Sequence, residues 1–164
     1  MTDFNRRHFN ALLGATVVAA GSAGAESHGG GTVHEVQMLN AHPDDRSERN
    51  VFLPDIVRAQ PGDTIKFIAT DRGHNAVSDE NMTPEGGAEF RGRINEEIEI
   101  TLETEGTYGY YCQPHRALGM VGLILVGDAS VNFEEARAAR QRGKAEERYE
   151  DIFARAEEML AAEA

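Results

Sequence analysis

Apolar and polar residues alternate over much of the chain between residues 32 and 127. The alternation is clearest at residues 97–102, which predicts a strand with one buried face and one face in water. Residues 120–126 are continuously apolar and predict another strand. Turn-forming residues, such as the Gln-Pro-Gly-Asp run at 60–63, separate these segments, and Pro54 predicts an edge or a bend. About seven short strands of this kind predict a mainly β domain, built as a sandwich or a barrel.

The period of the apolar residues changes near the C-terminus. Asn132, with Glu135 three residues later, has the sequence of a helix N-terminal capping box, which predicts a short helix to about Gln141 and a break at Gly143. From about residue 145, the apolar positions fall on one helical face: Tyr149, Ile152, Phe153, Ala156 and Leu160. We expect this face to cover part of the sandwich, as a helical extension (residues 131–164) of a domain formed by residues 33–130. A separate partner-binding helix is the alternative.

The first 25 residues have the organisation of an export signal. Arg6 and Arg7 precede Phe9 and a mildly apolar run at residues 11–20, and the segment ends in Ala-Gly-Ala, an A-x-A cleavage site. The paired arginines resemble a twin-arginine signal, so we expect removal of residues 1–25 and a periplasmic location. A membrane anchor is the alternative, but the run is too short and too rich in glycine and alanine to span roughly 20 residues of bilayer.

Residues 26–32 are expected to form a flexible terminus, because three consecutive glycines lie within them. Cleavage after Ala25 would leave Glu26-Ser27-His28 at the new end of the chain. A free amine with a histidine in third place can chelate Cu(II) or Ni(II) in a square plane. A second metal site at this terminus is therefore a less favoured alternative to a simple mobile end.

Composition and charge exclude some classes of function. The 164 residues include 28 acidic and 16 basic side chains, a formal net charge of −12, whereas a nucleic-acid backbone requires a basic face. We therefore expect no nucleic-acid partner, and no membrane insertion once the signal is removed. Cys112 is the single cysteine, so no intramolecular disulfide can form. A lone thiol in an exported protein is open to oxidation, and coordination to a metal is one explanation for its presence.

The residues that can bind a metal are concentrated between two predicted strands. Cys112, His115 and Met120 follow the pattern C-x2-H-x4-M, and His74 follows an earlier predicted strand. Thiolate and thioether ligands suit Cu(I), and imidazole suits both Cu(I) and Cu(II). Two histidines and a cysteine in one plane, with a distant axial methionine, are the ligands of a blue-copper electron-transfer site. We therefore expect these four residues to bind one copper ion per chain.

Other interpretations of these residues are weaker. Taken singly, Met120 would be a core residue and His74 a surface or hydrogen-bonded histidine, but their combination with the cysteine motif favours copper. Zinc accepts cysteine and histidine but rarely methionine. A copper enzyme needs further copper sites, and only five histidines follow residue 25. A copper chaperone or storage protein is the alternative function, although such proteins favour exchangeable sites rich in methionine or cysteine.

Two neighbours of the predicted ligands have predicted supporting roles. Asn75 is placed to brace the ligand loop by hydrogen bonds. Pro114 has no N–H group and cannot donate a hydrogen bond to the sulfur of Cys112. The absence of that donor leaves electron density on the thiolate and should lower the reduction potential.

Segments along nearly the whole chain after residue 34 resemble the pseudoazurins, a family of cupredoxins. They are residues 36–40, 61–64, 73–75, 108–112 and 119–122, and the two predicted C-terminal helices also resemble this family. The resemblance implies an eight-stranded Greek-key cupredoxin β-sandwich with two C-terminal α-helices and a type 1 copper. It implies periplasmic delivery of electrons to denitrification enzymes, notably copper nitrite reductase, with nitrous oxide reductase as another acceptor. We also expect the protein to be a monomer, with cytochromes as candidate donors.

The basic residues depart from the family pattern. Pseudoazurins commonly surround the exposed edge of the second histidine ligand, here His115, with lysines that meet an acidic partner. This chain has only two lysines, Lys66 and Lys144. Near the predicted site the available basic side chains are instead arginines, and those expected to substitute for the lysines are Arg72, Arg91, Arg93 and Arg116.

Overall fold

Two four-stranded sheets face each other in the computed structural model, which describes residues 30–163. The strands are β1 (Val33–Ala41), β2 (Arg49–Leu53), β3 (Ile56–Ala59), β4 (Asp63–Ile68), β5 (Val77–Ser78), β6 (Ile98–Leu102), β7 (Gly106–Tyr111) and β8 (Val121–Val126). Two helices follow, α1 (Phe133–Ala138) and α2 (Lys144–Glu163). The predicted signal peptide and the proposed chelating terminus at residues 26–28 lie outside the described residues. The mainly β prediction, with two C-terminal helices, is confirmed.

The strands are not arranged in the sheets in their order along the chain. The first sheet has the order β2-β1-β4-β6, and the second has the order β3-β8-β7-β5. The chain passes from the edge strand β2 to the other sheet's edge strand β3 through Pro54 and Asp55, so the predicted bend is confirmed. β1 pairs in parallel with β4, and β3 pairs in parallel with β8, as expected when the chain alternates between sheets.

The main core lies between the two sheets, where the strands turn their alternate residues inward. In β4, for example, Ile65 and Phe67 are fully buried and their neighbours are partly exposed. Tyr110 of β7 packs edge-on against Phe52 and Phe67, with ring centroids 4.8 and 5.0 Å apart. These aromatic contacts stabilise the interior close to the predicted ligands, since Tyr110 is two residues before Cys112.

The two helices form a second core on the outer face of the second sheet. Leu123 and Leu125 of β8 pack against the predicted apolar face of α2, which includes Tyr149, Ile152 and Phe153. Both faces of β8 are therefore covered, and this explains why its sequence is continuously apolar instead of alternating. The hydroxyl of Tyr149 donates a hydrogen bond to the buried carbonyl of Tyr110, 2.9 Å away.

The start of α1 differs from the prediction. Asn132 precedes the helix, but its side chain does not cap it. The Asn132 amide instead accepts a hydrogen bond from the N–H of Thr107 and donates one to the Thr107 carbonyl, at 2.7 and 2.9 Å. The predicted capping box is therefore wrong, because a buried strand competes for the same amide. The helix ends at Ala138, short of residue 141, and Gly143 takes a positive φ of 63° before α2.

In the part of the chain from residue 30 to residue 163, no helix has the length and apolar character needed to cross a membrane.

Candidate metal centre

The loop that joins β7 to β8 brings three of the four predicted ligands together in sequence. The N–H of Cys112 donates to the carbonyl of Met120 at 3.0 Å, and the N–H of Met120 donates to the carbonyl of His115 at 3.2 Å. A single turn of 3-10 helix (Arg116–Leu118) lies between the last two residues and ends at Gly119, which has a positive φ of 90°. The loop is therefore closed on itself by main-chain hydrogen bonds and holds Cys112, His115 and Met120 in fixed positions.

His74 reaches the same place from the loop between β4 and β5. Its Nδ1 atom lies 3.1 Å from Nδ1 of His115 and 3.8 Å from Sγ of Cys112, and the Cys112 sulfur lies 3.5 Å from Nδ1 of His115. Cys112 and His74 are fully buried, and His115 is partly buried. Among residues 30–163, these three form the one group of His, Cys, Asp and Glu side chains that converges closely enough to hold a metal ion.

A hydrogen bond determines which ring nitrogen of His74 carries the proton. Its Nε2 atom lies 3.0 Å from Oδ1 of Asn40, at the end of β1. Since an amide oxygen can only accept, Nε2 carries the proton and Nδ1 presents a lone pair to the centre. Sequence reasoning missed this role of Asn40. The only feature of the sequence that pointed to Asn40 was its place in a segment that resembles the pseudoazurins. That resemblance does not indicate which residue Asn40 contacts.

Asn75 braces the ligand loop, as predicted. Its side-chain oxygen accepts a hydrogen bond from the N–H of Gln113 at 2.8 Å, and its amide nitrogen donates to the carbonyl of Gly92 at 2.9 Å. Because Asn75 follows His74 directly, this bond ties the loop that carries His74 to the loop that carries Cys112. The distances between the candidate ligand atoms are thus held by side chains as well as by the strands.

The protonation of the centre follows from its burial. Burial raises the pKa of the Cys112 thiol, and main-chain N–H groups of Asn75 and His115 oppose that increase. Burial, together with the neighbouring His115, lowers the pKa of His74, which keeps its imidazole neutral. A neutral imidazole is the metal-binding form, whereas the thiol must lose its proton, so metal binding here is coupled to proton release.

The main chain of Met120 is hydrogen-bonded to Cys112 and to His115. Met120 is fully buried and packs in the same apolar cluster as Cys112, between the sheets. Met120 belongs to the loop that carries Cys112 and His115, and the main-chain bonds described above hold its backbone there. The structure therefore brings all four predicted ligands to one end of the sandwich.

Known proteins share this combination of sequence and fold. The profile of copper-binding proteins of the plastocyanin/azurin family matches residues 40–127. A pseudoazurin of Paracoccus pantotrophus is 45% identical over 115 residues, which cover 70% of this chain and 77% of the relative. The chain belongs to the pseudoazurin family. It is therefore a cupredoxin with copper as its cofactor, and an electron carrier, not an enzyme.

Solved structures of pseudoazurins match the described fold as well. The structure from Hyphomicrobium denitrificans has a TM-score of 0.71 at 35% identity and covers 76% of this chain and 98% of its own. The structure from Methylobacterium extorquens has a TM-score of 0.70 at 36% identity, with 75% and 98% covered. The sandwich described here therefore matches solved pseudoazurin structures over nearly their whole length.

The surface above His115 combines an apolar patch with arginines. Pro114, Ala117 and Leu118, which neighbour the partly buried His115 in the chain, are exposed, and Leu118 is 53% exposed. Arg140 and Arg142, from the segment between α1 and α2, line a hollow with Pro114 and Ala117. Sequence reasoning missed these two arginines, because they are distant in sequence from every predicted ligand.

The four arginines named from the sequence are not equivalent in this pseudoazurin fold. Arg91 is exposed and donates to the side chain of Gln113 at 3.2 Å, so it stands beside the ligand loop. Arg72 and Arg93 are also exposed. Arg116 instead forms an ion pair with the buried Asp79, with a nitrogen–oxygen distance of 2.5 Å. Its charge is compensated inside the protein, so it is a poor substitute for a docking lysine.

Proposed function

We propose that His74, Cys112, His115 and Met120 bind one copper ion as a type 1 site. The observation that supports this assignment is the triangle formed by the two Nδ1 atoms and the sulfur. Its sides of 3.1, 3.5 and 3.8 Å define a point about 2.0 Å from all three atoms, close to the metal–nitrogen and metal–sulfur bond lengths found in proteins. The soft thioether of Met120 completes a donor set that suits copper better than zinc.

The proposed function is single-electron transfer in the periplasm. Copper supplies the redox chemistry by alternating between Cu(I) and Cu(II). The protein's own groups limit rearrangement, because Asn40 fixes the ring of His74 and Asn75 fixes the loop of Cys112. Ligands that stay in place when the charge changes keep the barrier to electron transfer low. Export by the predicted signal at residues 1–25 agrees with this location.

The proposed exit route for the electron is the edge of His115. Of the two histidines, His115 is the more exposed, and the apolar surface of Pro114, Ala117 and Leu118 surrounds it. An apolar patch can exclude water when a partner docks, and positive charges beside it can steer an acidic partner. In this chain those charges are supplied by Arg91, Arg140 and Arg142.

The partner proposed for this surface is a denitrification reductase with an acidic docking face. Copper nitrite reductase is the first candidate acceptor, nitrous oxide reductase is another, and cytochromes are the proposed donors. The family resemblance and the arginines beside His115 support this proposal. The rest of the surface is acidic, so steering by the arginines must overcome a bulk charge of the opposite sign.

A visible spectrum and a Cys112→Ser variant test the copper assignment. The copper-loaded protein is expected to show an intense blue band that reductant bleaches. The variant is expected to fold but to lose the band, because the core does not depend on the thiol. A blue variant would contradict the assignment of Cys112. A colourless unmodified protein that retains Cu(I) would favour the alternative function, a copper chaperone or storage protein.

Salt-dependent kinetics test the docking surface. An Arg142→Gln variant should slow electron transfer to purified copper nitrite reductase and flatten its decrease with rising salt. Arg137→Gln is the matched control, since it removes one positive charge from α1, where Arg137 pairs with Glu157. Equal rates for the two variants would contradict docking at this surface. A rate for the unmodified protein that rises with salt would show that acidic residues dominate the encounter.

A further inference from the structure

Three side chains that are not proposed as copper ligands are joined by hydrogen bonds at the ligand loop. Asp79 follows β5, Arg116 lies in the ligand loop and Gln141 lies between the two helices. Arg116 donates from Nη2 to Asp79 at 2.5 Å and to the side-chain oxygen of Gln141 at 2.9 Å. Gln141 also donates to the same oxygen of Asp79 at 3.2 Å. We call this unit the Arg116 clamp.

The burial of Asp79 favours its pairing with Arg116. The side chain of Asp79 is only 3% exposed, and a buried carboxylate is costly unless a cation and hydrogen bonds satisfy it. Arg116 is the cation it pairs with. The guanidinium also lies over the ring of Tyr111, 4.1 Å from its centroid, where a cation–π contact favours it. Arg116 is therefore held from the sheet side, by the residue that precedes Cys112 and by a fixed negative charge.

The main chain of Arg116 lies between two proposed copper ligands. Its carbonyl accepts a hydrogen bond from the N–H of Gly119, which closes the turn between His115 and Met120. The helical extension packs on the other side of this turn. A Cβ atom at Gly143 would lie 2.9 Å from the carbonyl oxygen of Ala117, and one at Gly119 would lie 3.3 Å from the carbonyl oxygen of Lys144. The ligand turn is thus enclosed between the sheet and the extension.

We propose that Arg116, Asp79 and Gln141 are positioning residues that set the place of His115 and Met120 in the copper site. Through Gln141, the helical extension becomes part of the support of the metal centre, in addition to its role as a cover for β8. The inference rests on the proposed ligand assignment, but the mobility of the turn can be measured without copper.

Two measurements on the full-length protein test the clamp. Amide hydrogen exchange of the metal-free protein reports on Leu118, Gly119 and Met120, whose N–H groups all donate within the loop. In Arg116→Gln and in Gln141→Ala, exchange at these amides should rise at least tenfold, equivalent to about 1.4 kcal/mol of lost protection. Electron paramagnetic resonance of the Cu(II) form should show a changed copper hyperfine splitting, and the reduction potential should shift.

Controls separate positioning from general loss of stability. Arg137→Gln removes an equal charge and another ion pair, and it should leave loop exchange, hyperfine splitting and potential unchanged. Arg116→Lys should restore the signals in part, because lysine keeps the charge that pairs with Asp79 but lacks the planar guanidinium that lies over the ring of Tyr111. The proposal is overturned if exchange in Arg116→Gln matches the control, or if the hyperfine splitting and potential do not change. If the unmodified protein binds no copper, the proposed function fails, whereas the exchange difference still reports on the clamp.

Discussion

The hydrogen bond from His74 to Asn40 can be tested directly for its role in setting the tautomer of His74. Replacing Asn40 by alanine removes the acceptor for the Nε2–H of His74 while leaving all four proposed ligands in place. The imidazole could then move its proton to Nδ1, the nitrogen that faces Cys112 and His115. Copper binding would have to reverse that change, so the affinity should fall.

The expected size of this effect follows from burial. Loss of a hydrogen-bond partner to a metal-binding histidine typically costs 10- to 100-fold in affinity. His74 is fully buried, but Asn40 is exposed, so a water molecule can replace the missing amide oxygen. We therefore expect a loss near the lower limit, about tenfold or about 1.4 kcal/mol.

Competition titration with a Cu(II) chelator measures this loss, with the blue band as the readout. Gln37→Ala is the matched control, because Gln37 lies on the same strand and its side chain interacts with Thr70, away from His74. The control should keep the affinity of the unmodified protein. Equal affinities for the two variants would refute the argument that Asn40 sets the tautomer of His74.

Further predictions concern Met120, the proposed fourth ligand, and the stability of the fold. Met120→Gln should keep the copper and lower the reduction potential measured by voltammetry, since a weakly bound ligand in the position proposed for Met120 tunes the potential. An unchanged potential would count against Met120 as a ligand. Tyr149→Phe should lower the free energy of unfolding in urea by about 1–2 kcal/mol, because the carbonyl of Tyr110 loses a buried partner; an unchanged value would mean that this bond adds nothing. Hydrogen bonds from the N–H of Gln60 and from His34 lower the pKa of Asp63. The contribution of Asp63 to stability is therefore present above a pH of about 4 and is lost as the pH falls through the lower native pKa. The free energy of unfolding of Asp63→Asn should depend less on pH in acid than that of the unmodified protein. Identical pH profiles for the two proteins in acid would contradict this role.

Most of the site could be predicted from the sequence because the motif is local. Cys112, His115 and Met120 lie within nine residues, so one closed loop brings them together whatever surrounds it. The alternating strands, the turn residues and the apolar face of α2 likewise reflect local periodicity. Asn132 shows the limit of such reasoning, because its residue type predicts a helix cap, while the neighbouring strand β7 takes its hydrogen bonds instead.

The support of the centre was decided only by the tertiary structure. Asn40 meets His74 because β1 and β4 are adjacent in one sheet, and Gln141 meets Arg116 because the helical extension folds back over the ligand loop. Arg116 appeared in the sequence as a free surface charge, but a buried carboxylate 37 residues away compensates it. Residue types determine which chemistry is possible, since ligand softness and charge belong to the side chain. Which partner each side chain finds depends on contacts between segments far apart in the chain, and only folding brings these segments together.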